Sequence, residues 1–270
     1  MASYFVTGVS RGIGFEFLRQ LSSNPDNVVI GMARDKAATE AKVSKEFPRK
    51  NIHILQGDLS DYASLKQAAD KTAEITGGSL DYLIANAADL VGIEGIPPLG
   101  VLGQNPKLLE QQLLRTFKVN VIGNIHLVNL FMPLILNGNR KKVIHLATGL
   151  SDDDMTRKYG FDSQAAYSIS KSAANTAMAK FSTEYAQDGV LFLNLSPGMV
   201  DSGNMDLSTE EAQKAMAHMV SILKRYDPNF SGPITVEQSV KAMMAVYEKA
   251  SVENGDSGAF LSHHGNKRWI

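Results

Sequence analysis

The chain has 270 residues, of which 44% are hydrophobic and 20% are charged, and this composition predicts one large globular α/β domain. Its formal net charge of −1 gives no electrostatic basis for binding nucleic acid or an anionic membrane surface. Because the chain contains no cysteine, disulfides and thiolate zinc sites are excluded, and the histidine and carboxylate spacings match no metal motif.

The N-terminal sequence MASYFVTG enters an apolar segment without a basic leading region, so we expect no presequence and a cytoplasmic protein. The most apolar stretch, IHLVNLFMPLILNG, contains His126, Asn129 and Pro133, and we expect it to be too short and too polar to span a membrane. These features favour an enzyme-like domain with no nucleic-acid or membrane partner.

Seven short apolar runs alternate along the chain with segments of helical periodicity. The predicted strands cover residues 4–8, 27–33, 52–56, 81–87, 142–147, 191–196 and 258–262. Strands that alternate with helices imply parallel pairing and right-handed crossovers. We therefore predict a single domain over residues 1–270, built as a Rossmann-like, doubly wound α/β fold with a parallel sheet of about seven strands.

The first strand runs into the sequence TGVSRGIG, which places Gly8, Gly12 and Gly14 in a turn that opens a helix. Glycines allow a tight turn and a close backbone approach to a pyrophosphate, which then lies at the helix N-terminus. A spaced glycine triplet is a weak signal alone. Its position at the first βα junction of an alternating chain strengthens it, so we predict a dinucleotide site here.

The end of the second strand, GMARD, indicates which dinucleotide binds. In such folds an acidic residue about 20 positions after the loop binds the ribose 2′-hydroxyl of NAD, but Arg34 stands at that point. A guanidinium suits the 2′-phosphate of NADP better than a hydroxyl, and Arg11 adds a second positive charge. The alternatives are that Arg34 is a solvated residue at a strand end and that Asp35 only caps a helix. We favour NADPH over NADH, without excluding the use of both.

Two segments interrupt the alternation of strands and helices. Residues 89–106 are rich in Gly and Pro and follow a strand, where loops line the ligand crevice of open α/β sheets. Residues 201–233 contain Met205 and a helix with four apolar side chains at helical spacing: Ala212, Met216, Met219 and Leu223. We interpret this segment either as an amphipathic helix packed on the core or as a substrate lid with adaptable thioethers.

The sequence AAYSISKSAAN places Tyr167 and Lys171 four residues apart, on one face of a predicted helix. An ammonium beside the phenol favours its ionised form and moves its pKa from about 10 toward neutrality. A tyrosine shifted in this way suits general acid–base catalysis. The same spacing also occurs on solvated helix faces, so the pair becomes a catalytic candidate only beside a cofactor site.

Together these motifs resemble those of the short-chain dehydrogenase/reductase family over almost the whole chain. AYSISK resembles the family's Tyr-x-x-x-Lys motif, and IANAA stands where the family usually has Asn-Asn-Ala-Gly. GDLSD supplies Asp58, which by resemblance contacts the adenine, and SPGMVDS resembles the Pro-Gly segment, with Ser202 where threonine is commoner. The C-terminal SGAFLSHHGNKRW resembles the endings of fungal ketoreductases and of sniffer-type carbonyl reductases. The resemblance implies these cofactor-binding residues: Thr7, Gly8, Ser10, Arg11, Gly12, Ile13, Gly14, Arg34, Asp58, Leu59, Asn86, Ala87, Tyr167, Lys171, Pro197, Gly198, Val200 and Ser202.

The resemblance also implies four catalytic residues: Tyr167, Lys171, Thr148 and Asn120. The family's serine at the end of the fifth strand is replaced in VIHLATG by Thr148, whose hydroxyl can donate the same hydrogen bond. The segment from Thr148 to Tyr167 is longer than is usual in the family and contains SDDD, so Ser151 remains an alternative.

The mechanism implied by the resemblance is hydride transfer from the nicotinamide to a carbonyl carbon. Tyr167 would give its proton to the carbonyl oxygen while Thr148 donates a hydrogen bond to the same atom. Lys171 would bind the ribose hydroxyls and lower the pKa of the tyrosine. Asn120, in FKVNVIG, would hold a water of the proton relay, a role compatible with satisfying a bend in a long helix.

Three functions are consistent with these residues. The first is an NADPH-dependent ketoreductase that acts on a fairly apolar ketone, such as a secondary-metabolite intermediate; the others are a non-redox step, such as dehydration or isomerisation, and a cofactor-binding sensor without turnover. We expect a small carbonyl substrate and a homodimer or homotetramer, which is usual for the family. No histidine is assigned a catalytic role: His145 is expected to be a satisfied residue of the sheet, and His263 and His264 are expected at the surface.

Overall fold

The structure is a computed structural model that describes residues 1–90, 97–203 and 208–270. Its strands are β1 (Ser3–Thr7), β2 (Val28–Ala33), β3 (Ile52–Gln56), β4 (Tyr82–Ala85), β5 (Lys142–Leu146), β6 (Leu191–Ser196), β7 (Val200–Asp201), β8 (Ile234–Thr235) and β9 (Phe260–Ser262). Within these described ranges, seven strands form one parallel sheet in the order β3-β2-β1-β4-β5-β6-β9, and β7 pairs with β8.

The helices are α1 (Gly12–Leu21), α2 (Lys36–Glu46), α3 (Tyr62–Thr76), α4 (Leu99–Leu102), α5 (Pro106–Thr116), α6 (Asn124–Leu136), α7 (Asp153–Tyr159), α8 (Ala165–Glu184), α9 (Glu210–Tyr226) and α10 (Val236–Lys249). A π-helical segment, Phe117–Gly123, joins α5 to α6. A 3₁₀ turn, Gly149–Ser151, lies between β5 and α7.

The predicted Rossmann-like fold is confirmed, since each predicted strand coincides with a strand of the large sheet to within a few residues. The chain places β2 and β3 on one side of β1, and β4, β5, β6 and β9 on the other. At such a change of direction a crevice opens outside the carboxyl ends of the strands. The segments that follow β1, β4, β5 and β6 therefore lie side by side at one edge of the sheet.

Alternate residues of the strands contribute to two buried clusters, because successive side chains of a strand point to opposite faces. In β1, Tyr4 and Val6 belong to one cluster and Phe5 to the other. A third cluster joins α7, α9 and the C-terminal segment, and its buried members are Met155, Phe161, Ile222, Leu223 and Trp269. This separate cluster fixes the segment that follows β7 to the segment that follows β5.

The continuous helical stretch Pro106–Leu136 is long and apolar enough to cross a membrane by length and composition alone, with a mean hydropathy of 1.7. In the structure, 56% of its most apolar window is buried. Leu127, Val128 and Phe131 of α6 pack into the second sheet cluster. The core helix of an α/β domain meets the same criterion, and this stretch packs as one.

Candidate active site

The dinucleotide loop runs from the end of β1 to the first turn of α1. Gly8 and Gly12 have positive φ angles of 73° and 58°, which favour glycine. Gly14 lies so close to the turn that a Cβ there would be 2.2 Å from the carbonyl oxygen of Gly8. Arg11, the N-cap of α1, makes no side-chain cap hydrogen bond, and the first turn has no acidic residue. The first N–H groups of the helix are therefore left to an external anion, which fits a pyrophosphate.

Asn86 and Ala87, which follow β4, hold this loop in place. The side-chain amide of Asn86 donates to the carbonyl oxygens of Thr7, at 2.8 Å, and Gly8, at 3.3 Å. The backbone N–H of Ala87 donates to the buried hydroxyl of Thr7 at 2.9 Å. The structure thus brings the predicted IANAA residues to the cofactor loop, where they fix its backbone.

The end of β2 carries the residues expected to choose between NAD and NADP. Arg34 is exposed at this strand end, and Arg11 is exposed in the adjoining loop. The carboxylate of Asp35 accepts a hydrogen bond from the backbone N–H of Ala38 at 2.9 Å and is the N-cap of α2. The acidic residue at this position is therefore engaged by its own helix, as the alternative for Asp35 predicted.

A third cation, Lys42, reaches the same loop from α2, and no sequence motif marked it. Its ammonium lies 3.5 Å from the carbonyl oxygen of Ser10 and 4.1 Å from the centre of the Phe15 ring. Lys42 follows the N-cap of α2 by about two helical turns. The proximity of Lys42 to the dinucleotide loop follows from the packing of α2 against that loop, which the sequence alone does not give.

The turn after β3 contains the predicted adenine contacts. One carboxylate oxygen of Asp58 accepts from the backbone N–H and the hydroxyl of Ser60, both at 2.8 Å. Leu59 is buried, and its carbonyl oxygen would lie 2.3 Å from a Cβ at Gly123 in the π-helical segment. These contacts fix the turn, and the contact of Asp58 with adenine stays a prediction.

Tyr167 lies in the first turn of α8, and Thr148 lies just beyond the end of β5. The structure brings the two side chains together, close enough for the Thr148 hydroxyl to influence the pKa of the phenol. Burial raises the pKa of Tyr167, and the nearby Thr148 hydroxyl has a smaller effect that lowers it. The phenol therefore carries its proton at neutral pH.

Lys171 lies one turn of α8 beyond Tyr167, and its side chain is buried. Its ammonium donates to the carbonyl oxygen of Leu146 at 2.6 Å and lies 3.5 Å from Nε2 of His145. Burial lowers the pKa of Lys171 to about 7. These contacts account for two of the three N–H donors of an ammonium, which fits a hydroxyl-bearing ligand. The expected shift of the Tyr167 pKa toward neutrality is not found, because burial raises this pKa.

Asn120 is buried in the π-helical segment that joins α5 to α6. Its side-chain oxygen accepts from the backbone N–H of Asp89 at 2.7 Å, and its amide donates to the Asp89 carbonyl and to the Ser170 hydroxyl, both at 2.9 Å. Its backbone carbonyl accepts from the side-chain amide of Asn124 at 2.9 Å. Asn120 thus ties the segment after β4 to α8 from the π-helical segment, and its role in holding a water stays a prediction.

The hydroxyl of Ser151 is engaged by other partners than the phenol. It donates to the Thr148 carbonyl at 2.7 Å and accepts from the side-chain amide of Asn175 at 3.1 Å, about two turns of α8 beyond Tyr167. Ser151 and the aspartates of SDDD line a separate surface cavity of about 690 Å³.

Among the residues that the structure describes, no group of three or more His, Cys, Asp or Glu side chains could hold a metal ion.

Pro197 and Gly198 follow β6, next to the segment that carries Thr148. The carbonyl of Pro197 accepts from the hydroxyl of Ser239 at 2.7 Å. Gly198 has a φ of 84°, and a Cβ there would lie 2.6 Å from Cε1 of His263. The prediction that His263 is a surface residue is wrong: it is 6% exposed, because the end of β9 packs against this turn. Burial lowers the pKa of His263 to about 4, while His264 is exposed.

The two predicted substrate segments are described only in part. Val200 lies in β7, and Ser202 follows it at the beginning of the 201–233 segment. Residues 91–96 of the Gly- and Pro-rich segment and residues 204–207, with Met205, lie outside the described residues.

The helix of the 201–233 segment, α9, is amphipathic and packs on the third cluster. Ala212 and Leu223 are buried, while Met216 and Met219 are half-buried. The contacts of Leu223 agree with an amphipathic helix packed on a core, and the role of the segment as a lid stays a proposal.

The family follows from comparison with known proteins. A family model described as short chain dehydrogenase matches residues 3–215. The chain belongs to the short-chain dehydrogenase/reductase family. This oxidoreductase is 52% identical over 271 residues to the short chain dehydrogenase virK of Hypocrea virens, with 100% of both chains covered. It is 46% identical over 273 residues to the short-chain dehydrogenase/reductase iacC of Pestalotiopsis fici, again with 100% of both chains covered.

Solved structures show the same fold. The NADPH-bound carbonyl reductase from chicken fatty liver superposes with a TM-score of 0.73 at 23% identity, and each chain is covered over 98% of its length. The carbonyl reductase Sniffer of D. melanogaster superposes with a TM-score of 0.77 at 21% identity, with the same coverage. Both the predicted family and the predicted fold of this short-chain dehydrogenase/reductase are therefore confirmed.

Proposed function

We propose that this protein is an NADPH-dependent ketoreductase that reduces the carbonyl group of a fairly apolar small molecule, such as a secondary-metabolite intermediate, to an alcohol. The observation that carries the proposal is the pairing of the Thr148 and Tyr167 hydroxyls, with Lys171 one turn away. All three lie at the edge of the sheet where the dinucleotide loop begins. A carbonyl oxygen placed between the two hydroxyls would accept a hydrogen bond from each.

The protonation state of Tyr167 favours reduction. Bound NADPH supplies the hydride to the carbonyl carbon. The oxygen then needs a proton, and a phenol whose pKa is raised by burial still carries one at neutral pH. Thr148 would hold the same oxygen in place, and the Lys171 ammonium would stabilise the phenolate that remains.

The choice of NADPH rests on the charges at the end of β2. Arg34 and Arg11 are exposed cations beside the loop, and Lys42 approaches it from α2. Asp35, the acidic side chain nearest to Arg34 in the chain, is engaged in capping α2. A 2′-phosphate would meet guanidinium donors here, whereas a 2′-hydroxyl would lack the carboxylate acceptor that NAD-binding sites use.

Residues 201–233 are proposed to close over an apolar substrate. The support is the half-buried Met216 and Met219 on α9, whose flexible side chains adapt to different apolar shapes. A homodimer or homotetramer is also proposed. Its support is the apolar face around a small cavity between α5 and α8, where Leu114, Phe117 and Ile169 are exposed.

Absorbance of NADPH during incubation with a panel of ketones tests the function directly. We expect oxidation of NADPH with at least one apolar ketone, slower oxidation of NADH, and loss of both with Tyr167→Phe. Tight binding of NADPH without oxidation by any ketone would contradict the proposal and favour a sensor. Conversion of a bound compound without any change in NADPH absorbance would favour a non-redox step.

A further inference from the structure

A chain of three buried polar side chains crosses from β6 to α8 beneath the catalytic tyrosine. Asn194 and Lys171 are each 1% exposed, and His145, between them, is 0% exposed. Nδ1 of His145 lies 2.9 Å from Oδ1 of Asn194, and Nε2 lies 3.5 Å from the ammonium of Lys171. His145 and Asn194 are direct partners in the register of β5 and β6, so their side chains stand on the same face of the sheet.

Packing alone does not account for a histidine at this position. Val143, two residues earlier on the same face of β5, and Phe192, its partner on β6, are apolar and belong to the second sheet cluster. An apolar residue at position 145 would continue that pattern without the cost of burying a polar ring. It would, however, remove an acceptor from a buried ammonium, and an unpaired buried charge is expensive.

The hydrogen bond to Asn194 fixes the orientation and the tautomer of the His145 ring. With the Asn194 oxygen facing Nδ1, that nitrogen carries the proton, and Nε2 presents its lone pair to Lys171. Burial and the neighbouring Lys171 charge lower the pKa of His145 to about 3, so the ring stays neutral over the pH range of most enzymes. A neutral acceptor holds an ammonium without cancelling its charge, as a carboxylate would.

We propose that His145 is a positioning residue for Lys171: its Nε2, oriented by Asn194, holds the Lys171 ammonium beside Tyr167 as an uncompensated positive charge. This inference rests on the proposed function, because the charge matters only if Tyr167 becomes a phenolate during the reaction. The titratable groups near Lys171 among the described residues are Tyr167 on its own helix and His145 on β5. The Leu146 carbonyl, which accepts from the Lys171 ammonium, is uncharged. Asn194, which contacts the His145 ring, is uncharged as well.

Carbon-13 labelling of lysine Cε, followed by an NMR titration of the protein without cofactor, tests the proposal independently of turnover. The Lys171 signal is assigned by its loss in Lys171→Met, and its midpoint in the wild type is expected near 7. In His145→Leu the ammonium loses an acceptor, so the midpoint should fall by about half to one pH unit. His145→Gln places an amide oxygen near the position of Nε2 and should restore the wild-type midpoint of Lys171. Val143→Ala, on the same strand face, is the matched control and should leave the midpoint unchanged.

The pH dependence of ketone reduction gives the second readout. In His145→Leu the alkaline limb of kcat should move to lower pH by the same amount, with the KM of the ketone unchanged, and His145→Gln should reverse the shift. If His145→Leu does not fold, His145→Asn serves instead, because its shorter side chain keeps the contact with Asn194 but cannot reach Lys171. An unshifted Lys171 midpoint in the folded Leu or Asn variant, or an equal shift in Val143→Ala, would overturn the proposal. A shifted midpoint in a protein that reduces no ketone would support the positioning role and reject the ketoreductase function.

Discussion

The side-chain hydroxyl of Thr148, just beyond the end of β5, lies close enough to the phenol of Tyr167, in the first turn of α8, to influence its pKa. The proposed function gives each hydroxyl a different role toward a carbonyl oxygen bound between them. In the proposed mechanism Tyr167 transfers a proton, whereas Thr148 only donates a hydrogen bond. Substitutions at the two positions should therefore have effects of different size and kind.

Tyr167→Phe removes the proton donor and keeps the ring. We expect NADPH affinity to survive, while kcat falls by roughly 10²–10⁴-fold, as is typical when a general acid is lost. Steady-state kinetics and a fluorescence titration of NADPH measure the two quantities. Tyr185→Phe, at the other end of α8, is the matched control and should keep full activity. Near-normal turnover in folded Tyr167→Phe would remove this residue from the mechanism.

Thr148→Val is nearly isosteric and deletes only the hydroxyl. Because it removes one donor to the developing oxyanion, kcat should fall by about 10²-fold, and Thr148→Ser should retain most of the activity. Ser151→Ala provides the comparison, since the Ser151 hydroxyl faces Asn175 instead of the phenol. A larger loss in Ser151→Ala than in Thr148→Val would show that the loop is arranged differently in the active enzyme.

Arg34→Ala should change the cofactor preference. The 2′-phosphate of NADPH carries nearly two negative charges at pH 7, and losing one charge-assisted contact weakens binding by about tenfold. The affinity for NADH should change little. Titration of both cofactors at fixed ionic strength measures the difference, because salt screens such contacts. Lys45→Ala, in the last turn of α2, is the control; parallel losses for both cofactors in Arg34→Ala would indicate a structural role.

His263 makes the stability of the fold depend on pH. Burial lowers its pKa from 6.5 to about 4, so between these values the unfolded chain binds more protons than the folded one. Stability should therefore fall as the pH drops from 6.5 to 4. His263→Gln cannot take up that proton, so its melting temperature should fall less than that of the wild type between pH 7 and pH 4.5. Equal decreases for the two proteins in a thermal melt would show that His263 does not contribute.

Trp269 links the C-terminal segment to α7. Its ring stacks on Phe260 at 4.3 Å between centres, and its indole N–H donates to Asp152 at 3.1 Å. Trp269→Ala should lower the free energy of unfolding by about 3–5 kcal/mol and raise the KM of the ketone, with NADPH affinity unchanged. Trp269→Phe keeps an aromatic ring but loses the hydrogen bond and part of the buried volume, so it should cost less than Trp269→Ala, about 1–3 kcal/mol. Denaturant melts and steady-state kinetics test both variants. An unchanged KM in folded Trp269→Ala would show that the third cluster does not contribute to ketone binding.

The seven strands of the large sheet were predictable because parallel strands buried on both faces are short apolar runs, such as YFVTG and LFLNLS, that alternate with helical segments. The small β7–β8 pair was not predictable, since a two-residue strand carries no periodic signal. Nor was α7 predicted, because SDDD resembles a polar loop. In the structure Asp152 is the N-cap of α7 and the next two aspartates occupy its first turn, where the helix dipole favours negative charge.

Within the site, the loop glycines could be found from their spacing together with their position at the first βα junction, and the Tyr167 and Lys171 pair from its spacing together with that cofactor loop. Lys42 could not, because its role depends on how α2 is placed against the loop. The choice between Thr148 and Ser151 depends on a single 3₁₀ turn, which directs the two hydroxyls differently. His263 was misplaced because its burial comes from contact with Gly198, far away in the sequence.

The third hydrophobic cluster means that α7, α9 and the chain end form a module with a core of its own, largely apart from the two clusters of the sheet. A change of shape in one of these three pieces requires complementary changes in the other two. Exchanging all three together between related reductases should transfer substrate preference to a recipient that keeps its own dinucleotide half. Exchange of α9 alone should leave its apolar face without a partner and give an unstable chimera.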